Sequence, residues 1–150
     1  MDLILWRHAE AEPGEPDLGR RLTAKGIQQA ERVAGWLDHQ LAATTRILSS
    51  PADRAQQTAQ ALKRKFRVVP ELAPGASVAA ILAAAGWPDA REPVLIVGHQ
   101  PTLGEVAALL LSGEEASWSV RKGAVWWLSN RVRDGLASTV LKVVTGPEFV

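Results

Sequence analysis

Reactive side chains stand where apolar runs of this sequence stop. Arg7 and His8 follow Leu3-Ile4-Leu5-Trp6, Arg54 follows Ser50-Pro51, and His99 follows Val94-Leu95-Ile96-Val97-Gly98. Brought together, two guanidiniums and two imidazoles suit a phosphoryl group. Arginine forks match its tetrahedral oxygens bidentately, and histidine can form a covalent intermediate that splits a hard displacement into two easier ones. His8, set among positive groups, should stay largely neutral because neighbouring cations disfavour the imidazolium. A neutral imidazole can attack phosphorus. Arg7, Arg54 and His99 would stabilise charge on the equatorial oxygens without a metal, and water would then release phosphate from phospho-His8. An Arg-His pair or a Gly-His pair alone is ordinary turn chemistry. The weight lies in the joint occurrence at successive strand exits.

Such convergence requires the right elements. "LILW" (3–6) and "VLIV" (94–97) are continuous apolar runs, as expected of strands covered on both faces of a parallel sheet. Between them the period changes: Ile27, Ala30, Ala34, Leu37 and Leu41 step by three and four along one face of a helix that starts after Thr23 as N-cap. "RILSS" (46–50) reads as a short strand leading into a helix with Ser50 as N-cap, Pro51 at its first position and Asp53 in a capping box. "RVVP" (67–70) reads as another short strand. Val78, Ile81 and Leu82 mark a helix ending near Gly86, and Leu103, Val106, Ala107 and Leu110 mark one that stops by Gly113. "GAVWWLSN" and "ASTVLKVVT" read as a hairpin around Arg133-Asp134-Gly135. The alternation predicts a three-layer α/β/α fold with a mostly parallel central sheet and the hairpin at or near an edge. Ligands of open parallel sheets bind beyond the carboxyl ends of the strands, which is where Arg7, His8, Arg54 and His99 fall.

Composition narrows the function classes. The 150 residues are expected to form one domain, with no linker, repeat or low-complexity segment. The absence of cysteine excludes disulfides, thiolate ligands and a cysteine nucleophile, and fits a reducing compartment. Three histidines leave little for metal binding, so neither a metal nor a cofactor is expected. A formal net charge of +1, with "KRKFR" (63–67) as the densest basic cluster, predicts no nucleic-acid partner. The first apolar run is too short for a signal peptide or a membrane span. A cytoplasmic protein without membrane association is expected.

Four segments, "LWRHAEAE", "RRLTAKG", "SSPADRAQQTA" and "VGHQPTL", in that order, resemble the histidine phosphatase superfamily of phosphoglycerate mutase-like fold, and its small SixA-type phosphohistidine phosphatases in particular. The resemblance covers nearly the whole chain. It implies that His8 is the phosphorylated nucleophile, that Arg7 and Arg54 bind the phosphoryl group, and that His99 completes the pocket. Arg20 matches a further recurrent arginine, a phosphate neighbour or the partner of a loop salt bridge. Two departures stand out. The superfamily usually has glycine after the nucleophile, where this chain has Ala9; a positive φ there would strain alanine by about 1 kcal/mol. Larger relatives have an acid after the third strand that protonates an alcohol leaving group, and here only Glu71 stands in that region, with Glu10 and Glu12 as weaker substitutes.

Without a dedicated acid, a leaving group that departs easily is favoured. The imidazole of phosphohistidine needs less help than an alkoxide. The expected function is therefore removal of phosphate from phosphohistidine on a protein partner, such as a phosphorelay or phosphotransfer protein. A phosphatase of small phosphoesters and a non-catalytic phosphate-binding regulatory module are the alternatives. Among the remaining residues, His39 reads as structural near a helix C-terminus, Phe66 as packed inward beside a solvated basic helix end, and Trp87 and Trp118 as candidates for an exposed partner surface.

Overall fold

The computed structural model describes residues 1–150 and contains one six-stranded sheet with four α-helices. In chain order these are β1 (Asp2–Arg7), α1 (Ala24–Gln40), β2 (Arg46–Ser49), α2 (Asp53–Gln60), β3 (Arg67–Val68), α3 (Val78–Ala85), β4 (Val94–Gly98), α4 (Thr102–Ser112), β5 (Val125–Arg133) and β6 (Leu136–Thr145). The order across the sheet is β3-β2-β4-β1-β5-β6. β1 to β4 run parallel, and β5 joins β1 antiparallel. The hairpin predicted from Arg133-Asp134-Gly135 forms the β6 edge, its two-residue turn holding Asp134 at φ 50° and Gly135 at φ 77°, both positive as a tight hairpin turn needs.

Alternate residues of the central strands supply two cores. Leu3, Leu5, Leu48 and Ile96 face α3 and α4, whereas Ile4, Trp6, Ile47, Leu95 and Val97 face α1 and α2. This gives the expected three layers. Each fully buried aliphatic side chain contributes roughly 1.5–3 kcal/mol, so β4, buried from end to end, and β1, buried from Leu3 to Trp6, form a firmly held pair. No helix is long and apolar enough to cross a membrane.

Local departures have local causes. Thr23 caps α1 as expected, its hydroxyl accepting from Gly26 N–H at 2.9 Å, but Ile27 is 43% exposed and the buried face instead includes Gly26 and Val33. A Cβ on Gly26 would lie 2.0 Å from the Glu10 carbonyl oxygen, so the helix meets the loop after β1 at the glycine and turns Ile27 outward. α2 begins two residues later than its sequence suggests, with Ala52 as N-cap and Asp53 as first residue. Ser50 and Pro51 precede it. The run "KRKFR" follows α2 rather than ending it; Phe66 packs against the α1–α2 core, and Arg64 donates to Asp38 at 2.9 Å. β3 is two residues long. Trp87 and Trp118 are half-buried against the α3–α4 core, Trp118 lying 6.1 Å from Trp126 between ring centroids, so they form no exposed aromatic surface. His39 is exposed in the last turn of α1.

Candidate active site

Strand register brings the reactive residues together. Arg7 pairs with Gly98 and Ser49 with Val97, so the next residue on each of three adjacent strands, His8, His99 and Ser50, falls at one edge of the sheet. Backbone hydrogen bonds extend this alignment past the strands: His8 N–H donates to Gly98 at 3.1 Å and Ser50 N–H to Val97 at 3.0 Å. The two imidazole centroids lie 5.1 Å apart at 53°. His8 is 7% exposed, His99 5% and Arg54 4%.

Polar residues of the sequence motifs tie down the loop after β1. Ala9 N–H donates to Thr58 Oγ1 at 3.1 Å, Glu10 N–H to Gln29 at 3.0 Å and Leu22 N–H to Gln57 at 2.7 Å. Thr58 in turn donates to the Arg54 carbonyl at 2.8 Å, which links the loop after β1 to α2. Ala9 is fully buried on ordinary backbone, since the two non-glycine residues with positive φ are Lys63 and Asp134. The turn does not require positive φ at Ala9, so alanine is unstrained there.

Hydrogen bonding sets the protons of both rings. His8 Nδ1 lies 2.7 Å from the Ala9 carbonyl oxygen, which can only accept, so Nδ1 carries the proton and Nε2 the free lone pair. His99 Nε2 lies 2.7 Å from Ser50 Oγ, and that oxygen already accepts from Ala52 N–H at 3.1 Å. The serine proton then points to Nε2, and the His99 proton resides on Nδ1.

Burial is the largest cause holding both imidazoles neutral. It lowers the His8 pKa from 6.5 to about 4; the Ala9 carbonyl opposes the shift, and the charges of Arg54, Arg7 and Arg20 add to it. His99 falls from 6.5 to about 3, through burial first, with His8 and Arg54 adding and Asp17 opposing. The neutrality expected of His8 is present, but cations are its secondary cause.

The arginines present unspent donors. Arg7 donates through Nη1 to the Val120 carbonyl at 3.0 Å, and Arg54 donates through Nη1 to the Asp17 carbonyl at 2.7 Å and through Nη2 to the Asp17 carboxylate at 3.2 Å. Of the four buried side-chain polar atoms without a partner, three are Arg7 Nε, Arg54 Nε and His99 Nδ1. Buried donors are normally satisfied. Three of them belong to residues whose charge or ring bears on His8, a receptor arrangement that can hold a tetrahedral oxyanion.

Arg20, uncertain in sequence, joins this environment. It donates to the Glu12 carbonyl at 2.7 Å and to Asp17 at 3.2 Å, and its charge reaches His8. Asp17 thus bridges Arg20 and Arg54, whose hydrogen bonds lower its own pKa and keep it ionised. Sequence reasoning passed over Asp17 and read Ser50 as a helix cap. Asp17 stands three residues before Arg20, the one local signal of pairing.

None of the acids considered from sequence stands ready to protonate a leaving group. Glu71 is exposed and lines a groove with Arg46, Leu48 and Arg67, with no hydrogen bond or ion pair to the histidines or to Arg7 and Arg54. Glu10 accepts from the Thr23 hydroxyl at 2.8 Å, and Glu12 is exposed, contributing its backbone carbonyl to Arg20.

Known proteins resemble this chain in sequence and in fold. Residues 3–77 match the profile of the histidine phosphatase superfamily (branch 1). The chain is 32% identical over 123 residues to phosphohistidine phosphatase SixA of Escherichia coli strain K12, covering 76% of each chain. Among solved structures, a protein assigned as phosphohistidine phosphatase SixA from Nakamurella multipartitia superimposes with a TM-score of 0.80 at 28% identity, over 97% of this chain and 95% of that one. A protein histidine phosphatase SixA complexed with tungstate superimposes with a TM-score of 0.77 at 26% identity, over 98% and 97%.

Proposed function

Because the chain belongs to the histidine phosphatase superfamily, we propose that it is a metal-independent phosphatase working through phospho-His8, with phosphohistidine on a protein as its substrate. The observation that carries the reading is the set of partnerless buried donors on Arg7, Arg54 and His99 around a neutral His8 whose Nε2 is free. The similarity to a SixA protein that binds tungstate, itself a tetrahedral oxyanion, supports it.

In this reading the guanidiniums and the His99 Nδ1–H hold the phosphoryl oxygens while His8 Nε2 attacks phosphorus in line. Solvent protonates the other nitrogen of the substrate imidazole, the P–N bond to that ring breaks with its electron pair returning to the leaving nitrogen, and the ring departs as neutral imidazole. Water then attacks phosphorus, the P–N bond to His8 breaks, and inorganic phosphate departs. Asp17, the carboxylate that accepts from Arg54 and whose charge reaches His99, is ionised and cannot donate a proton. That suits a phosphoramidate, whose leaving imidazole is a weak base, better than a phosphomonoester, whose alkoxide needs an acid. A phosphorelay or phosphotransfer protein in the cytoplasm is the partner this chemistry fits.

The test is intact-mass analysis after rapid acid-free quenching with a phosphohistidine-bearing protein, on wild type and His8→Ala, with and without EDTA. A single-phosphate adduct on His8, absent in the variant and indifferent to chelator, is expected. Turnover retained by His8→Ala would overturn the covalent mechanism, loss of turnover with EDTA its independence from metal, and faster turnover of sugar phosphates the substrate class.

A further inference from the structure

Beside the receptor lies a second feature that the chemistry above does not use. A cleft of about 640 Å³ opens between the first two turns of α1, the loop before β5 and the C-terminal segment. Its wall includes Arg7, Lys25, Arg32, Arg121 and Lys122, and Pro147 is the one apolar side chain that lines it. Glu10 and Glu148 are the only acids there. Five cations against two carboxylates, in a chain whose formal net charge is +1, is a concentration of charge rather than a sample of the surface.

That charge is poorly compensated within the molecule. Arg121 pairs with Glu148 at 3.5 Å, but both side chains are exposed, and such pairs are weak. Glu10 is engaged by the Thr23 hydroxyl. Lys25 and Lys122 have no carboxylate within ion-pair distance, while Arg32 donates to the main-chain oxygen of Val150, the last residue, at 2.8 Å. Lys25 and Arg32 stand about two turns apart along α1, roughly 10 Å, which suits several charges spread along a surface. The lining also argues against a small organic ligand, whose pockets are mostly apolar with a few placed polar groups.

Arg7 connects the cleft to the receptor, because its guanidinium borders both. A macromolecule presenting a phosphoryl group to His8 therefore brings its neighbouring surface over Lys25 and Lys122. Resting on the phosphohistidine reading above, we propose that this cleft is a docking site for acidic side chains flanking the phosphohistidine of the protein substrate. Complementary charge there steers encounter and selects acidic partners.

The test uses three peptides carrying a stable triazole analogue of phosphohistidine, flanked by glutamates, alanines or lysines, with binding read by fluorescence anisotropy at low and high salt. The glutamate peptide is expected to bind at least about tenfold tighter than the lysine peptide at low salt, a margin that shrinks as salt rises. The Lys25→Glu/Lys122→Glu double variant should lose that margin while holding the alanine peptide as wild type does. Turnover of p-nitrophenyl phosphate and the thermal melt report whether the variant is intact, with Lys25→Gln/Lys122→Gln as the milder replacement. Equal binding of all three peptides, or a preference that survives both variants, would overturn the docking site and leave the phosphohistidine reading standing. Binding of none of them by an enzyme that hydrolyses p-nitrophenyl phosphate would overturn both.

Discussion

Ser50 and His99 form a two-residue proton device: the serine oxygen, 2.7 Å from His99 Nε2 and 3.1 Å from Ala52 N–H, directs its own proton to the ring and leaves Nδ1–H free for a phosphoryl oxygen. Removing the hydroxyl lets the ring populate the other tautomer, which has no donor on Nδ1. Ser50→Ala should lower kcat by about tenfold to a hundredfold, the range of a lost transition-state donor, with a smaller effect on KM. Ser50→Thr should restore most of it. Nitrogen-15 spectra of His99 check the cause, since a merely structural serine would leave Nδ1 protonated in Ser50→Ala.

Asp17 neutralises part of the charge that the receptor offers to an anion, accepting from both Arg54 and Arg20. Asp17→Asn keeps the backbone carbonyl that holds Arg54 Nη1 but removes the negative charge. Inorganic phosphate should then inhibit several-fold more tightly. A Ki that is unchanged or weaker would show that the carboxylate positions Arg54 more than it screens it.

Neutral histidines give the pH dependence a definite sign. With His8 at about 4 and His99 at about 3 in the fold, against 6.5 for the free side chain, the unfolded chain binds more protons between these values. The stability each contributes is complete above about 6.5 and is lost as pH falls through the window toward the folded values. Melting temperatures should drop between pH 7 and 5, and less so in His99→Asn. For the same reason the acid limb of kcat/KM, measured on a substrate that does not titrate there, should lie near pH 4 rather than 6.5.

Gly26 is the point of closest approach between α1 and the loop that follows His8. A methyl group there would lie 2.0 Å from the Glu10 carbonyl oxygen, so helix and loop must separate. Gly26→Ala should destabilise by about 1–3 kcal/mol, as overpacking does, and should lower activity by shifting the loop. Denaturant unfolding and turnover measured together check it, with Gly35→Ala, at a position with nothing within 4 Å, as the control.

The residues and elements of the site were legible because they depend on short-range pattern. Continuous apolar runs announced β1 and β4, the changes of period announced the helices, and Asp134-Gly135 announced the hairpin turn. Arg7, His8, Arg54 and His99 stood out as polar groups at the ends of such runs, and the covering of both sheet faces implied that these ends meet. The face of α1 was misjudged at Ile27 because its phase is decided by a glycine contact with Glu10, sixteen residues earlier in the chain, rather than by the helix itself.

What tertiary structure alone decided is which side chain each reactive group touches. β4 enters between β1 and β2, and only that insertion sets Ser50 against His99, 49 residues away. The same holds for Asp17 on Arg54, 37 residues away, and for Lys25 and Lys122 on one cleft. Glu71 follows the two-residue β3 and lines a groove with Arg46, Leu48 and Arg67, a placement that depends on the pairing of β3 with β2. Local propensity and hydrophobic period act over a few residues, so the sequence by itself determined the strands, the helices and the chemistry at their ends. Proton placement, charge balance and the docking cleft arise from contacts between distant segments, and they came into being only when the sheet was assembled.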